Sequence, residues 1–200
     1  MADLSRVIRS RRSVRRYTAE PVSVEVVEEL LRAAMRAPSA HNGQPWRWVI
    51  VTTSEIRARL ARAMGEQMRA DRLADGDPPE AIEAALARSY TRLTGAPALV
   101  VACSALIGID APAGSRVRHF EKLMAMQSVA AAVDHLLLAA EAAGLGACWV
   151  CAPLFCPDAV RQALTLPGNW EAEALVTLGH PAEVKEPAPR RAWAETVLYR

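Results

Sequence analysis

Residues 118–151 read RHFEKLMAMQSVAAAVDHLLLAAEAAGLGACWVC, and this stretch decides the fold class. From Arg118 to Ala143 the content of alanine, leucine and valine is nearly continuous. That pattern predicts a long helix covered on several sides, as a central helix or a dimer contact is. Gly144 then reads as a left-handed C-terminal cap, a conformation that costs glycine nothing because it has no Cβ. Ala147 to Ala152 follows as a strand. A buried helix feeding a strand through one glycine implies a domain that mixes helices with a sheet.

Reading towards the N-terminus, Ala98 to Ser104 is a second strand bounded by Pro97, with a polar loop running from it to about Val117. Asp77 and Glu80 make a capping-box-like helix start. Ser54 is placed to cap a helix with Leu60, Met64 and Met68 on one face, preceded by a strand over Trp46 to Thr52. Ser23 is placed to cap a helix ending near Met35, whose Val26, Val27, Leu30, Leu31 and Ala34 keep helical spacing. A short helix covers Leu4 to Ser10. Towards the C-terminus, Glu173 to Leu178 is a further strand, and residues 180–200 form an extended, Pro-rich arm suited to reaching onto a neighbour. The expected architecture is one domain over residues 1–200, with about four strands and six helices.

Composition removes several classes. Two hundred residues, 52% apolar, can fill one sizeable core. No run of 18 or more apolar residues argues for a membrane span, and the first residues carry no export pattern. Four cysteines suit a reducing cytoplasm better than a disulfide scaffold. A net charge of +2 is too small to argue for nucleic acid. The distribution is more telling: Arg6, Arg9, Arg11, Arg12, Arg15 and Arg16 are opposed only by Asp3 in the first 16 residues.

Three places can carry chemistry. Arg11, Arg12, Ser13 and Arg15 put guanidiniums and a hydroxyl within five residues, enough to surround a phosphate monoester, although composition alone favours a solvated basic face. The loop Pro38 to Pro45 offers Ser39, Asn42 and Gln44 between prolines, suited to the edge of a heteroaromatic ring or to an ordinary polar turn. Gly144 to Cys151 leads a strand into Ala152-Pro153-Leu154-Phe155, whose first amides could face a cofactor. Cys148 and Cys151 have redox-pair spacing, but three residues along a strand point to opposite faces and no second pair completes a zinc site, so both read as structural thiols. His135 reads as a packed core histidine. No metal site and no acid–base constellation emerges, and a chain without its own reactive groups borrows them from a cofactor.

Taken together, R-R-S-x-R at Arg11 to Arg15, A-P-S-x-x-N-x-Q-P-W at Ala37 to Trp46 and G-L-G at Gly144 to Gly146 resemble the nitroreductase-like flavin family, in order and over essentially the whole chain. The resemblance implies an α+β fold with a central, mostly antiparallel sheet of about four strands, joined by one from the partner's C-terminal arm and flanked by helices. It implies a cytoplasmic homodimer binding flavin mononucleotide (FMN) at the subunit interface and carrying hydride from NADH or NADPH to a small acceptor, with no nucleic-acid or membrane partner. Catalysis would rest on FMN N5 and not on a side chain. Arg11, Arg12, Ser13, Arg15 and either Arg190 or Arg191 would hold the phosphate. Pro38, Ser39, Ala40 and Asn42 of the partner would line the flavin, and backbone amides of Cys151 and Ala152 would approach N5. A closer similarity, through Met68 to Gly76 and Gly144 to Leu166, is to the flavin domain of coenzyme F-420 biosynthesis proteins. It implies that Ser39, Asp71 and Met124 touch a deazaflavin precursor. A generic nitro, quinone or enone reductase, a flavin-cleaving enzyme and a non-catalytic flavin-binding dimer stand as alternatives.

Overall fold

A computed structural model describes residues 3–105, 112, 114–183 and 188–200. Four strands, β1 (Trp46–Val51), β2 (Ala98–Ser104), β3 (Gly146–Val150) and β4 (Glu171–Gly179), form one sheet in the order β1-β2-β4-β3. Every neighbouring pair is antiparallel. The central strands β2 and β4 are buried almost throughout, as their unbroken apolar runs require. A bulge opposite Ala102 and Cys103 displaces Glu173 from the ladder.

Six α-helices cover both faces of the sheet: α1 (Leu4–Ser10), α2 (Val24–Ala34), α3 (Ser54–Ala74), α4 (Pro79–Thr94), α5 (Arg116–Ala142) and α6 (Pro157–Leu164). On one face Val27, Leu30 and Leu31 of α2 and Val129, Val133 and Leu136 of α5 pack against Val100, Val176 and Leu178. On the other, Leu60 and Met64 of α3 and Val160 of α6 pack against Leu99, Val101 and Leu175. Each such fully buried side chain stabilises the fold by roughly 1.5–3 kcal/mol.

The 27-residue α5 is long and apolar enough in composition to cross a membrane. Its buried residues, from Ala125 to Ala140, instead make it the core helix of one sheet face. Ser115 caps it by accepting the Arg118 N–H at 3.2 Å, so the helix starts two residues earlier than the sequence pattern gives. At its end Gly144 takes φ 75°, and Leu145 N–H reaches back to Ala140 O at 2.9 Å, the expected left-handed cap.

Several expectations are corrected. Thr53, not Ser54, is the N-cap residue of α3, and the Ser54 hydroxyl donates to Glu55 instead. Asp77 does not cap α4: Pro78 and Pro79 occupy the cap and first helical position, and Asp77 pairs with Arg72 at 2.5 Å. β3 stops at Val150 because Cys151 turns the chain into a short 3-10 helix, Ala152–Phe155, fixed by Pro153. His135 is half-buried, its Nδ1 3.0 Å from Ala131 O, and so lies at the margin of the core. The loop expected up to Val117 falls mostly outside the described residues.

Candidate cofactor site

The arginine segment leaves α1 and runs along the free edge of β3. Ser13 bridges Ala147 in parallel, and Val14 N–H donates to Ala147 O at 2.9 Å. Glycine is required opposite: a Cβ on Gly146 would stand 2.7 Å from both Cβ and Cγ1 of Val14. Tyr17 anchors the far end of the segment. Its hydroxyl lies 2.6 Å from Val14 O and 2.6 Å from Thr177 Oγ1. Burial pushes the Tyr17 phenol far up, so it stays neutral and available as a donor.

The segment therefore has a fixed backbone and free cations. Arg11, Arg12 and Arg15 form no ion pair among the described residues, whereas neighbouring Arg16 meets Glu183 at 3.8 Å. Ser13 is exposed. Arg12 Nε donates to Ser10 O at 2.9 Å, which orients its guanidinium beside a notch of about 130 Å³ lined by Gly144 and Gly146 together with Glu141 and Glu183. Unpaired guanidiniums and an exposed hydroxyl on a rigid strand edge fit a dianionic phosphate.

Cys151 and Ala152 lie at the other end of β3, four residues beyond Ala147, or about 13 Å along a strand. That separation suits an extended molecule with a phosphate at one end and a ring at the other. Pro153 has no N–H and the Leu154 N–H donates to Cys151 O at 3.1 Å, so the Ala152 N–H is the opening amide of the turn that can face a ring edge. Cys148 is buried but Cys151 is exposed, so only the first is a structural thiol. Cys151 sits where the site turns, a position its sequence spacing did not reveal.

The loop before β1 is rigid for reasons that its prolines do not supply. His41, Asn42 and Gln44 take φ of 53°, 52° and 44°, while Gly43, the residue suited to that region, does not. Such strain persists only when the surroundings impose it. Here Ser39 Oγ accepts the Gln44 N–H at 3.1 Å, and Ser128 Oγ of α5 accepts the Ala40 N–H at 3.2 Å while donating to Met124 O at 2.7 Å. Pro45 O, in turn, receives Ala105 N–H at 2.8 Å.

Within one chain the proposed ligands do not all converge. The loop carrying Pro38, Ser39, Ala40 and Asn42 enters β1, on the opposite sheet edge from β3 and the arginine segment. Arg190 and Arg191 are exposed on the tail and meet neither group. Met124 joins the loop through Ser128, while Asp71 faces elsewhere, lining a cavity of about 230 Å³ that also reaches Ala152 and Phe155. Ser128 and Tyr17 were not singled out from sequence, and Gly146 entered only as part of the G-L-G motif. For Gly146, a glycine inside a strand was the available signal of close backbone approach.

Residues 8–180 match the Nitroreductase family. The chain is 32% identical over 216 aligned residues to a Thermus thermophilus NADH dehydrogenase, covering 95% of this chain and 92% of that one. It is 33% identical to a 5,6-dimethylbenzimidazole synthase of Rhodospirillum rubrum, covering 90% and 82%. A structure from Desulfovibrio desulfuricans, solved in complex with FMN, superposes with a TM-score of 0.74 at 27% identity, covering 100% of this chain and 98% of that one. With a four-stranded antiparallel sheet between two helical layers and the arginine segment docked on its edge, the chain belongs to the Nitroreductase family.

Proposed function

We propose that the protein is a cytoplasmic homodimer that holds FMN across its subunit interface and passes hydride from NADH or NADPH to a small conjugated or heteroaromatic acceptor. The observation that carries this reading is the set of three arginines without ion pairs, fixed on the β3 edge one strand-length from Ala152. When bound, FMN would supply the hydride chemistry that links the reduced carrier to the acceptor.

The chain's own residues bind and orient. Arg11, Arg12, Ser13 and Arg15 grip the phosphate through charge-assisted hydrogen bonds, with one of Arg190 and Arg191 from the tail. Amides at Cys151 and Ala152 set the reactive edge of the ring. Pro38, Ser39, Ala40 and Asn42 close on that ring from a second copy, a reading supported by their position on the far edge of their own sheet. Exposed Trp193, Leu198 and Tyr199 give the tail an apolar surface to bury on that copy, with residues 180–200 acting as the arm. No protonating side chain is required beyond this positioning.

A narrower reading takes the acceptor to be the dehydro precursor of coenzyme F-420. Asp71 favours it by lining a cavity with Ala152; Met124, whose carbonyl accepts the Ser128 hydroxyl, and Ser39, beside the Ala40 that donates to Ser128, would be its further contacts. The test is anaerobic. The FMN-loaded protein is reduced with NADH or NADPH, then mixed separately with nitroaromatics, quinones and dehydro-deazaflavin while flavin absorbance is followed. Rapid reoxidation by one class supports turnover and names the acceptor. Flavin that is never reduced by either nicotinamide counts against the whole reading.

A further inference from the structure

The cavity beside Ala152 lies between α3, α4 and the turn that follows β3. Its walls are mainly apolar: Met64 and Met68 from α3, Cys156 beneath and Phe155 at the mouth. A cavity of about 150 Å³ accommodates benzene. At about 230 Å³, this one has room for one or two fused rings.

Its polar edge is net negative. Asp71 and Asp75 line it, one turn apart on the same helix side. Gln67 Nε2 donates to Asp71 Oδ1 at 2.7 Å, steadying the carboxylate without neutralising it. The one cation at the edge, Arg72, is already engaged by Asp77 at 2.5 Å. The field of Asp71 reaches inside: after burial, its negative charge is the second cause that pushes the Cys156 thiol up to about 11.

Building on the FMN reading above, we infer that this slot is the acceptor subsite and selects mono- or bicyclic aromatic compounds bearing a cationic or hydrogen-bond-donating substituent, which Asp71 receives while Phe155 and Met68 cover the ring. An anionic substituent is rejected by the two carboxylates. The slot is smaller than a three-ring deazaflavin, so such a molecule inserts at most one end of its ring system.

The test uses the FMN-loaded protein and three probes of one shape: 4-nitrobenzylamine, 4-nitrobenzyl alcohol and 4-nitrobenzoate. Binding is read from perturbation of the flavin spectrum in the oxidised state, where no turnover occurs. Opposite unit charges at this range in a partly exposed site predict that the amine binds about tenfold more tightly than the benzoate at low salt, with the alcohol between. Asp71→Asn narrows that spread to about threefold or less. A flat or reversed order in the unmodified protein overturns the slot assignment while leaving the FMN reading intact, and needs no variant. A protein that takes up no FMN instead sinks the underlying reading.

Discussion

Val14 packs directly over the position where a side chain on Gly146 would stand, 2.7 Å from its Cβ. That contact, with the Val14 to Ala147 hydrogen bond, holds the arginine segment on the strand edge. Gly146→Ala must therefore push the segment outwards. Overpacking of this kind costs about 1–3 kcal/mol, and the displaced guanidiniums lose their common focus. Thermal unfolding should shift down, and FMN affinity, followed by fluorescence quenching, should fall at least tenfold.

Arg12 and Arg16 are four residues apart but differ in their partners. Arg16 is exposed and meets Glu183, while Arg12 has no ion pair and is oriented by Ser10 O. Removing one charge-assisted contact to phosphate costs about 1.5–3 kcal/mol. Arg12→Ala should thus weaken FMN binding about 10- to 100-fold, and Arg16→Ala should change it less than about threefold, both by titration of the flavin-free protein. Equal losses would mean that the segment acts as a diffuse basic patch.

Ser128 governs the strained loop from a distance. Ser128→Ala removes the acceptor of the part-buried Ala40 N–H, at a cost of about 1 kcal/mol. Hydrogen exchange of residues 39–44 should quicken while exchange in β2 and β4 stays slow. Unchanged protection of the loop would show that its backbone holds His41, Asn42 and Gln44 in place without α5.

Glu173, displaced by the β2–β4 bulge, is buried and accepts the Ser104 hydroxyl at 2.5 Å. Burial raises its carboxyl, with Glu171 adding to the effect and Ser104 and Lys122 opposing it. A carboxyl raised on folding favours the native state when protonated, so its contribution is fully present below the ordinary glutamate value and is lost as pH rises through the raised one. Glu173→Gln should therefore be more stable than the parent at neutral pH, with the difference shrinking towards acidic pH. Chemical denaturation at a series of pH values checks the sign.

The elements of the fold were legible from local signals: the unbroken apolar run behind Pro97 bounded β2 to the residue, α1 was bounded likewise, and Gly144 announced the end of α5. Caps were less legible, since Asp77 and Ser54 have the right side chains one position away from where the backbone turns. The Asn42-Gly43 pair signalled a turn, yet the left-handed residues are Gly43's neighbours, because hydrogen bonds to Ser39 and Ser128 outweigh local preference. The cavity joining Asp71 to Ala152 had no signal in the residues themselves; only the family resemblance assigned both to one site. It arises where α3 crosses a turn about eighty residues later, a tertiary relationship with no local pattern.

The most direct test compares FMN with riboflavin, which keeps the ring and lacks the phosphate, by calorimetric titration of the flavin-free protein. If the arginine segment holds the phosphate and the site spans two copies, FMN binds about 100-fold more tightly or better, with two sites per dimer. Equal affinity for the two flavins, or one tight site on a monomer, contradicts the account.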